Sequence, residues 1–213
     1  MNFGTLEANW RADERDTGTP PLFSSADLAR WFSESEKEAA IRKSLIRESV
    51  TISIVAGDTE LSLPSGVVEV RTARIVEGTE TYWLDISDRY EQDRLNRNWR
   101  DTTARPTAII HDDKTVTLNR IVETDADLKL ECFRIPSSPM VDDDDEPEIA
   151  EVHHEYLRGW VRFRAYSVPD NDRQDLQKAA SGLAEFEAYF GKRPDANHRR
   201  NNNANRPHRV KAW

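Results

Sequence analysis

The hydrophobic periodicity of this chain changes twice, and these changes limit the folds that it can adopt. Apolar residues recur at helical spacing before position 49, alternate with polar residues within 50–135, and return to helical spacing from Val152 to Phe190. This order predicts an α+β fold. Helices from both ends of the chain would form one helical bundle, with an inserted antiparallel β-rich module and an extended C-terminal tail.

Sequence signals at the helix ends support this interpretation. Phe3, Leu6 and Trp10 suit a short amphipathic helix, Ser24 or Ser25 is a suitable N-cap for the next helix, and Gly191 is a suitable C-cap for the last one. Large apolar residues at helical spacing are predicted to form the core of the bundle. They are Leu28, Trp31, Phe32, Tyr156, Trp160, Phe163, Leu183, Phe186 and Phe190.

The same periodicity divides the chain into four predicted segments. Residues 1–48 would supply the N-terminal bundle helices and residues 142–191 the C-terminal ones. Residues 49–141 would form the β-rich module, in which a polar stretch around 87–106 is expected to be a loop or a short helix. Residues 192–213 would form the C-terminal tail.

Charge is distributed unevenly along the chain. The net charge is −9, but residues 1–191 carry −15 and the C-terminal tail carries +6. An acidic surface repels nucleic acid, so the globular part is not expected to read DNA sequence. The tail is basic, rich in asparagine and without apolar periodicity, which is typical of a segment that folds on binding. Its predicted binding residues are Arg199, Arg200, Arg206, Arg209, Lys211 and the terminal Trp213.

Groups that could carry chemistry are better explained by structural roles. The acidic run, residues 142–146, lacks the alternating ligand spacing of a calcium loop and favours a solvated linker. His153 and His154 are adjacent, so on a regular helix they point about 100° apart and cannot bind one ion. Cys132 alternates with leucines on an apolar strand face and is expected to be buried. We therefore predict no catalytic, cofactor-binding or metal-binding residues, and no enzyme.

Two stretches of sequence match the pattern of one family. Residues 16–24, Asp-Thr-Gly-Thr-Pro-Pro-Leu-Phe-Ser, precede the helix that contains Trp31. Residues 147–154, Pro-Glu-Ile-Ala-Glu-Val-His-His, precede the aromatic-rich stretch 159–166 and the acidic stretch Asp170-Asn171-Asp172. In this order, with the β insertion between them, the chain resembles the head-to-tail adaptor (portal-connector) proteins of tailed bacteriophages, especially short-tailed ones.

The resemblance implies a structural role. Such adaptors form a twelve-subunit ring beneath the portal, extend the DNA channel and dock tail components. The implied partners are the portal protein, neighbouring adaptor subunits, and a tail nozzle, tail tube or fibre protein, while packaged DNA passes through without specific binding. Ala150 and His153 replace the family's usual proline and tyrosine, so this helix start is expected to be less rigid. The implied location is the virion neck, after synthesis in the host cytoplasm.

Several alternatives stay open. The chain could be another virion structural protein, such as a head-completion or tail-tube-proximal protein, or a small carboxylate-dependent hydrolase that uses the acidic run. The tail could bind portal, a neighbouring adaptor subunit or packaged DNA. No apolar run approaches the roughly 18 residues of a membrane span, and the first residues do not resemble a secretory signal. A membrane partner is therefore not expected.

Overall fold

The computed structural model describes residues 1–169 and 174–193, which fall into two compact units. Met1–Ile46 and Ile135–Arg193 form the first unit, and Arg47–Arg134 form the second. The α-helices are α1 (Phe3–Glu14), α2 (Ser25–Lys43), α3 (Arg89–Leu95), α4 (Arg158–Ser167) and α5 (Leu176–Phe190). The strands are β1 (Ile46–Ile54), β2 (Glu60–Ser62), β3 (Val67–Glu77), β4 (Glu80–Ser87), β5 (Ala108–His111), β6 (Thr115–Leu118) and β7 (Ala126–Arg134). Two 3₁₀ helices are Trp99–Asp101 and Glu151–Leu157.

Local side chains and glycines set the helix ends of the first unit. The Ser24 hydroxyl accepts a hydrogen bond from the Asp27 N–H at 3.1 Å, which confirms the predicted N-cap of α2. At the end of α5, Gly191 adopts a φ of 82° and its N–H donates to the Glu187 carbonyl. The predicted C-cap is thus confirmed, because a positive φ is tolerated best by glycine.

The backbones of α4 and α5 approach each other closely at two glycines. A Cβ atom built on Gly182 would lie 2.7 Å from the carbonyl oxygen of Gly159, well inside van der Waals contact. The absence of a side chain at both positions lets the two helices approach until backbone meets backbone. Phe186 and Phe190 of α5 are fully buried on the same side of the unit.

A seven-stranded sheet forms the second unit, in the order β1-β7-β3-β4-β5-β6-β2. The pairs β2–β6, β3–β4, β3–β7 and β5–β6 are antiparallel, whereas β4 and β5 are parallel. One face of this curled sheet buries alternate residues, including Leu128, Leu130 and Cys132 of β7. The predicted alternation in this segment is therefore confirmed.

The predicted fold class is wrong. The fold is mixed α/β: the sheet is larger than expected and contains a parallel pair, and the helices are not arranged as a bundle of N- and C-terminal helices. The parallel pair arises because residues 88–107, expected as a polar loop or short helix, contain α3 and a 3₁₀ helix. A crossover of this length returns the chain to the sheet in its original direction, which a tight hairpin cannot do.

The C-terminal helical stripe also differs from its prediction. Glu151–Leu157 is a 3₁₀ helix with about three residues per turn, and α4 begins only at Arg158. This change of pitch removes the first residues of the stripe from the buried face, so that Val152 is 68% exposed and Tyr156 is 39% exposed. The helix that was expected to run from Val152 through Phe163 is accordingly short.

The buried thiol of Cys132 gives a simple test of the sheet. Burial, with a smaller contribution from Glu48, raises the pKa of this thiol to about 11 from an ordinary 9.0. At pH 8 the thiolate population is then about 100-fold below that of an ordinary cysteine. We expect the native protein to resist Ellman's reagent and the protein in guanidinium to react with one equivalent. Rapid labelling of the native protein would contradict the burial.

His111 on β5 predicts a pH dependence of stability. Burial lowers the pKa of its imidazole below the ordinary 6.5, and Asp112 offsets part of this effect. The unfolded chain therefore binds the proton more readily, and the free energy of unfolding should decrease as the pH falls below about 6.5. Urea titrations at several pH values should show a weaker decrease for His111→Gln than for the wild type. Equal pH dependence in the two proteins would contradict this role of His111.

Candidate functional site

An apolar groove of about 520 Å³ opens on the first unit between α2 and residues 135–141. We call it the α2 groove. Ala26 and Ala29 form one wall, and Pro136, Pro139 and Met140 form much of the other. Its size lies within the range of about 300–1,000 Å³ that is typical of binding pockets. The remaining lining residues are Arg30, Ser33, Glu34, Lys37, Ile135, Ser137, Ser138 and Val141.

Hydrogen bonds fix the two walls of the α2 groove to each other. The Ser33 hydroxyl donates to the Ala29 carbonyl at 2.8 Å and accepts from the Met140 N–H at 2.9 Å. Ser137 is held by the Glu148 carboxylate, to which its hydroxyl donates. Met140 is 3% exposed, so its side chain lines the groove and also packs into the core behind it. The groove is therefore a preformed feature of the first unit.

The acidic run follows directly on the groove and is held by its backbone. The carbonyl oxygens of Asp145 and Asp143 accept hydrogen bonds from the Phe3 and Gly4 N–H groups of α1 at 2.7 and 2.9 Å. The Asp145 carboxylate accepts from the Asp142 and Val141 N–H groups, and these bonds lower its pKa below the ordinary 3.8. The exposed carboxylates form an anionic surface beside the groove. They belong to Asp142, Asp143, Asp144 and Glu146.

A second exposed feature is the loop of residues 17–22, which lies within the first of the family-like stretches. Asp16 is buried, and its carboxylate accepts hydrogen bonds from the Leu22 N–H at 2.6 Å and the Arg11 guanidinium at 2.5 Å. Arg11 also donates to the Phe23 carbonyl at 2.9 Å. These contacts close the base of the loop. The first unit thus presents an exposed loop on a fixed base.

The residues predicted to form a bundle core are buried to different extents. Those that are buried are Leu28, Trp31, Phe32, Phe186 and Phe190. Trp160, Phe163 and Leu183 are partly buried, and Trp160 packs against Phe186 with ring centroids 5.3 Å apart. Tyr156 is partly exposed, and its ring stacks on Tyr189 at 3.5 Å.

The predicted binding residues of the C-terminal tail lie outside the described residues. They are Arg199, Arg200, Arg206, Arg209, Lys211 and Trp213. The tail begins within the described part, where the Arg193 guanidinium lies 3.3 Å from the Glu38 carboxylate of α2. This ion pair places the last described residue, which follows α5, beside α2.

The two adjacent histidines have different partners. His153 shares a hydrogen bond with the Tyr189 hydroxyl at 2.9 Å, while the Nε2 atom of buried His154 lies 2.8 Å from the Ile149 carbonyl oxygen. Over residues 1–169 and 174–193, no group of three or more His, Cys, Asp or Glu side chains is placed to hold a metal ion. Within the same residues, no helix has the length and hydrophobicity needed to cross a membrane.

The α2 groove was missed in the sequence. Its two walls are about one hundred positions apart in the chain, and Pro136-Ser137-Ser138-Pro139 has the composition of a simple linker. The available signal was the pair Ile135 and Val141, which are apolar residues on both sides of that linker. Only the folded arrangement shows that the linker covers one side of α2.

A mixed α/β protein that presents an apolar groove, an anionic surface and a fixed exposed loop has the features of a protein that binds other macromolecules. Comparison with known families identifies the group: the chain matches the model of the SU10 adaptor protein over residues 1–211 and belongs to this family. The resemblance to phage head-to-tail adaptors is thereby confirmed. The comparison with curated proteins gives no match.

Membership of this family defines a coarse role for the chain. It is an adaptor of the phage head-to-tail connection, located in the virion neck, and it interacts with other virion components such as the portal and the tail. The family is one of structural proteins and not of enzymes.

Proposed function

We propose that this adaptor forms a ring of twelve copies beneath the portal, extends the DNA channel, and docks a tail nozzle, tail tube or fibre protein. The observation that carries the proposal is the match to the adaptor family over residues 1–211. The stoichiometry and the docked components come from the resemblance described above. The exposed loop at 17–22, whose base is held by Asp16, is the surface proposed to dock such a tail component.

The charge of the body supports a channel role. Residues 1–191 carry a net charge of −15, and an anionic wall does not attract the phosphate backbone of DNA. DNA can then move past the ring without the many Lys and Arg contacts that hold a protein on a duplex. In this proposal, packaged DNA passes through the ring without being held, and the adaptor makes its stable contacts with other proteins.

Ring formation is proposed to depend on the portal. Because the copies share a strongly negative body, their mutual repulsion opposes closure of a free ring. We expect a monomer in sedimentation velocity at moderate salt, and a ring in negative-stain images only after portal is added. A stable free dodecamer would contradict the dependence on portal. Failure to bind portal at all would contradict the adaptor ring itself.

The C-terminal tail is proposed to bind acidic surfaces on portal or on a neighbouring adaptor subunit. Arg is suited to this role because its planar guanidinium binds a carboxylate through two hydrogen bonds. Trp213 would add an apolar anchor at the end of the segment, as aromatic residues often do at the centres of interfaces. Contact of the tail with packaged DNA is the alternative.

Deleting residues 192–213 tests this assignment. We expect the truncated protein to keep its thermal unfolding transition and to lose at least about tenfold in affinity for portal rings, or about 1.4 kcal/mol. Changing the five tail cations to serine should reproduce most of the loss. A matched control changes Asn201, Asn202 and Asn203 to serine, which alters the same segment without altering its charge. Unchanged binding of the truncated protein would favour DNA as the partner.

A further inference from the structure

The α2 groove combines two chemical properties that select its occupant. Its walls are mainly apolar, with alanine, proline and methionine side chains, and the described residues leave it open to solvent. Val141 at one end is 67% exposed and is followed at once by the exposed carboxylates of the acidic run. An occupant that suits both features is a cationic peptide with at least one large apolar anchor.

Two of the charged residues that line the groove are paired with residues outside it. Arg30 lies 2.8 Å from the Asp27 carboxylate, and Glu34 pairs with Arg164 at 2.9 Å. Lys37 is exposed at the end of the groove farthest along α2. The exposed carboxylates beside Val141 outnumber this cation, so the surface around the groove favours a basic partner.

The chain itself contains a peptide of this kind. The C-terminal tail carries seven cations and one anion, and it ends in Trp213. Its cations are concentrated in its second part, from Arg199 onward, whereas Asp195 lies near its start. The part that complements the acidic run is therefore also the part that carries the aromatic anchor.

Chain length sets how far the peptide can reach. The tail begins close to the groove, since its residue Arg193 lies beside Glu38, one helical turn after the groove residue Glu34. From Lys37 to Ala26 the groove spans about 16 Å of helix, which about five extended residues cover. The tail has 20 residues after Arg193, about four times the number that spans the groove. Fully extended, these 20 residues reach about 65 Å, which is long enough to extend beyond the groove of their own copy toward that of a second copy.

We propose that the α2 groove and the acidic run of one adaptor copy receive the end of the C-terminal tail, residues 199–213, from a second copy. This inference rests on the proposed ring, in which each copy has neighbours. A contact between the tail of one copy and the groove of the next is heterologous, and repetition of such a contact closes a ring when the rotation permits. Trp213 occupies the apolar groove, and the tail cations face Asp142, Asp143 and Asp144.

Photo-crosslinking of mixed isotopic copies tests the inference. Full-length protein carrying p-benzoylphenylalanine in place of Trp213 is prepared in ordinary and ¹⁵N-labelled form, mixed, and irradiated both alone at high concentration and on portal. Mass spectrometry should identify cross-links from position 213 to groove residues such as Ala26, Pro139 or Val141, with one light and one heavy partner. The same photo-label at Leu176, which is 67% exposed on α5, controls for random contact.

Each outcome has one meaning. Light–heavy cross-links to the groove in either sample support the inference, while exclusively light–light and heavy–heavy cross-links place the tail in its own copy and overturn it. Cross-links only to portal, or none to the groove, also overturn it but leave the proposed ring intact if rings are seen. If no ring forms on portal, the proposed function fails, and the cross-links of the free protein still decide the inference.

Two sets of variants separate the apolar and the charged parts of the site. Ala26→Trp fills the groove from an exposed position and should abolish the light–heavy cross-link, whereas Ala184→Trp on the exposed side of α5 should leave it unchanged. Neutralising Asp142, Asp143 and Asp144 to asparagine should reduce the cross-link yield about fivefold. Neutralising three exposed acids elsewhere should change it little, and those control positions are Asp113, Glu123 and Glu155.

Discussion

Gly182→Ala should lower the free energy of unfolding of the first unit by about 2–3 kcal/mol. The new Cβ atom would lie 2.7 Å from the Gly159 carbonyl oxygen and 2.9 Å from the Phe163 backbone nitrogen. Both contacts are with backbone, so no side-chain rotation relieves them and α4 and α5 must separate. This cost exceeds the gain of about 1 kcal/mol in helix propensity when alanine replaces glycine.

Urea denaturation followed by tryptophan fluorescence measures this effect, since Trp160 lies on α4 beside the helix contact. Ser181→Ala is the matched control, because residue 181 is the exposed neighbour on α5 and its change to alanine adds no atom to the contact. We expect the control to change stability by less than about 0.5 kcal/mol. A Gly182→Ala protein as stable as the wild type would show that the two helices are farther apart.

Asp16→Ala should cost about 2–3 kcal/mol, because it leaves two backbone N–H groups without their acceptor and removes one of the two carboxylates that pair with Arg11, which keeps Glu7 at 2.8 Å. The carboxylate accepts from Arg11, Leu22 and Phe23, and the Asp16 side chain is only 4% exposed. Asp16→Asn should cost less, since one amide oxygen still accepts a hydrogen bond. The same variants should weaken any partner contact made by the loop at 17–22, because the base of that loop is no longer fixed.

Asp13→Ala provides the comparison for Asp16. Asp13 is a nearby acid whose ion pair with Arg158 has both side chains about half exposed, and such pairs contribute about 0–1 kcal/mol. Thermal unfolding of the three variants should therefore rank Asp16→Ala as least stable, followed by Asp16→Asn and then Asp13→Ala. Similar transitions for Asp16→Ala and Asp13→Ala would contradict the structural role of the buried carboxylate.

The parts of the fold that sequence predicts well are those fixed by local chemistry. Ser24 caps α2 through its own hydroxyl, Gly191 ends α5 because it tolerates positive φ, and Cys132 is buried because its strand alternates. Each of these signals depends on a few neighbouring residues. They do not depend on what packs above or beside the element, and so they can be read from the chain alone.

The parts of the fold that the sequence predicted wrongly depend on contacts between residues far apart in the chain. The pitch between Val152 and Leu157 is that of a 3₁₀ helix, although the apolar spacing there suits an α-helix equally well. The parallel pairing of β4 with β5 depends on the path of residues 88–107, and polar composition alone does not specify a crossover. The alternating pattern of a strand is the same for either pairing direction. Sequence therefore located the strands without fixing their directions.

The candidate site also has one part that the sequence predicts and one part that it does not. The acidic run was visible as composition, and its interpretation as a solvated linker agrees with carboxylates that face solvent while backbone carbonyls contact α1. The groove was invisible because Ser33 and Met140, which tie its walls together, come from segments separated by the whole sheet unit. The family resemblance indicated the role of the protein, but it did not identify which surface binds a partner.

The two ends of the sheet unit lie side by side. The chain enters through β1 and leaves through its sheet neighbour β7, and Glu48 and Arg134 at these ends form an ion pair at 2.8 Å. An insertion with adjacent ends adds little strain to its host, because the host chain needs only a short gap to accommodate it. The helical unit therefore has only a short gap to bridge between residues 46 and 135, so a change of length inside the sheet unit need not alter the path of the helical unit's chain.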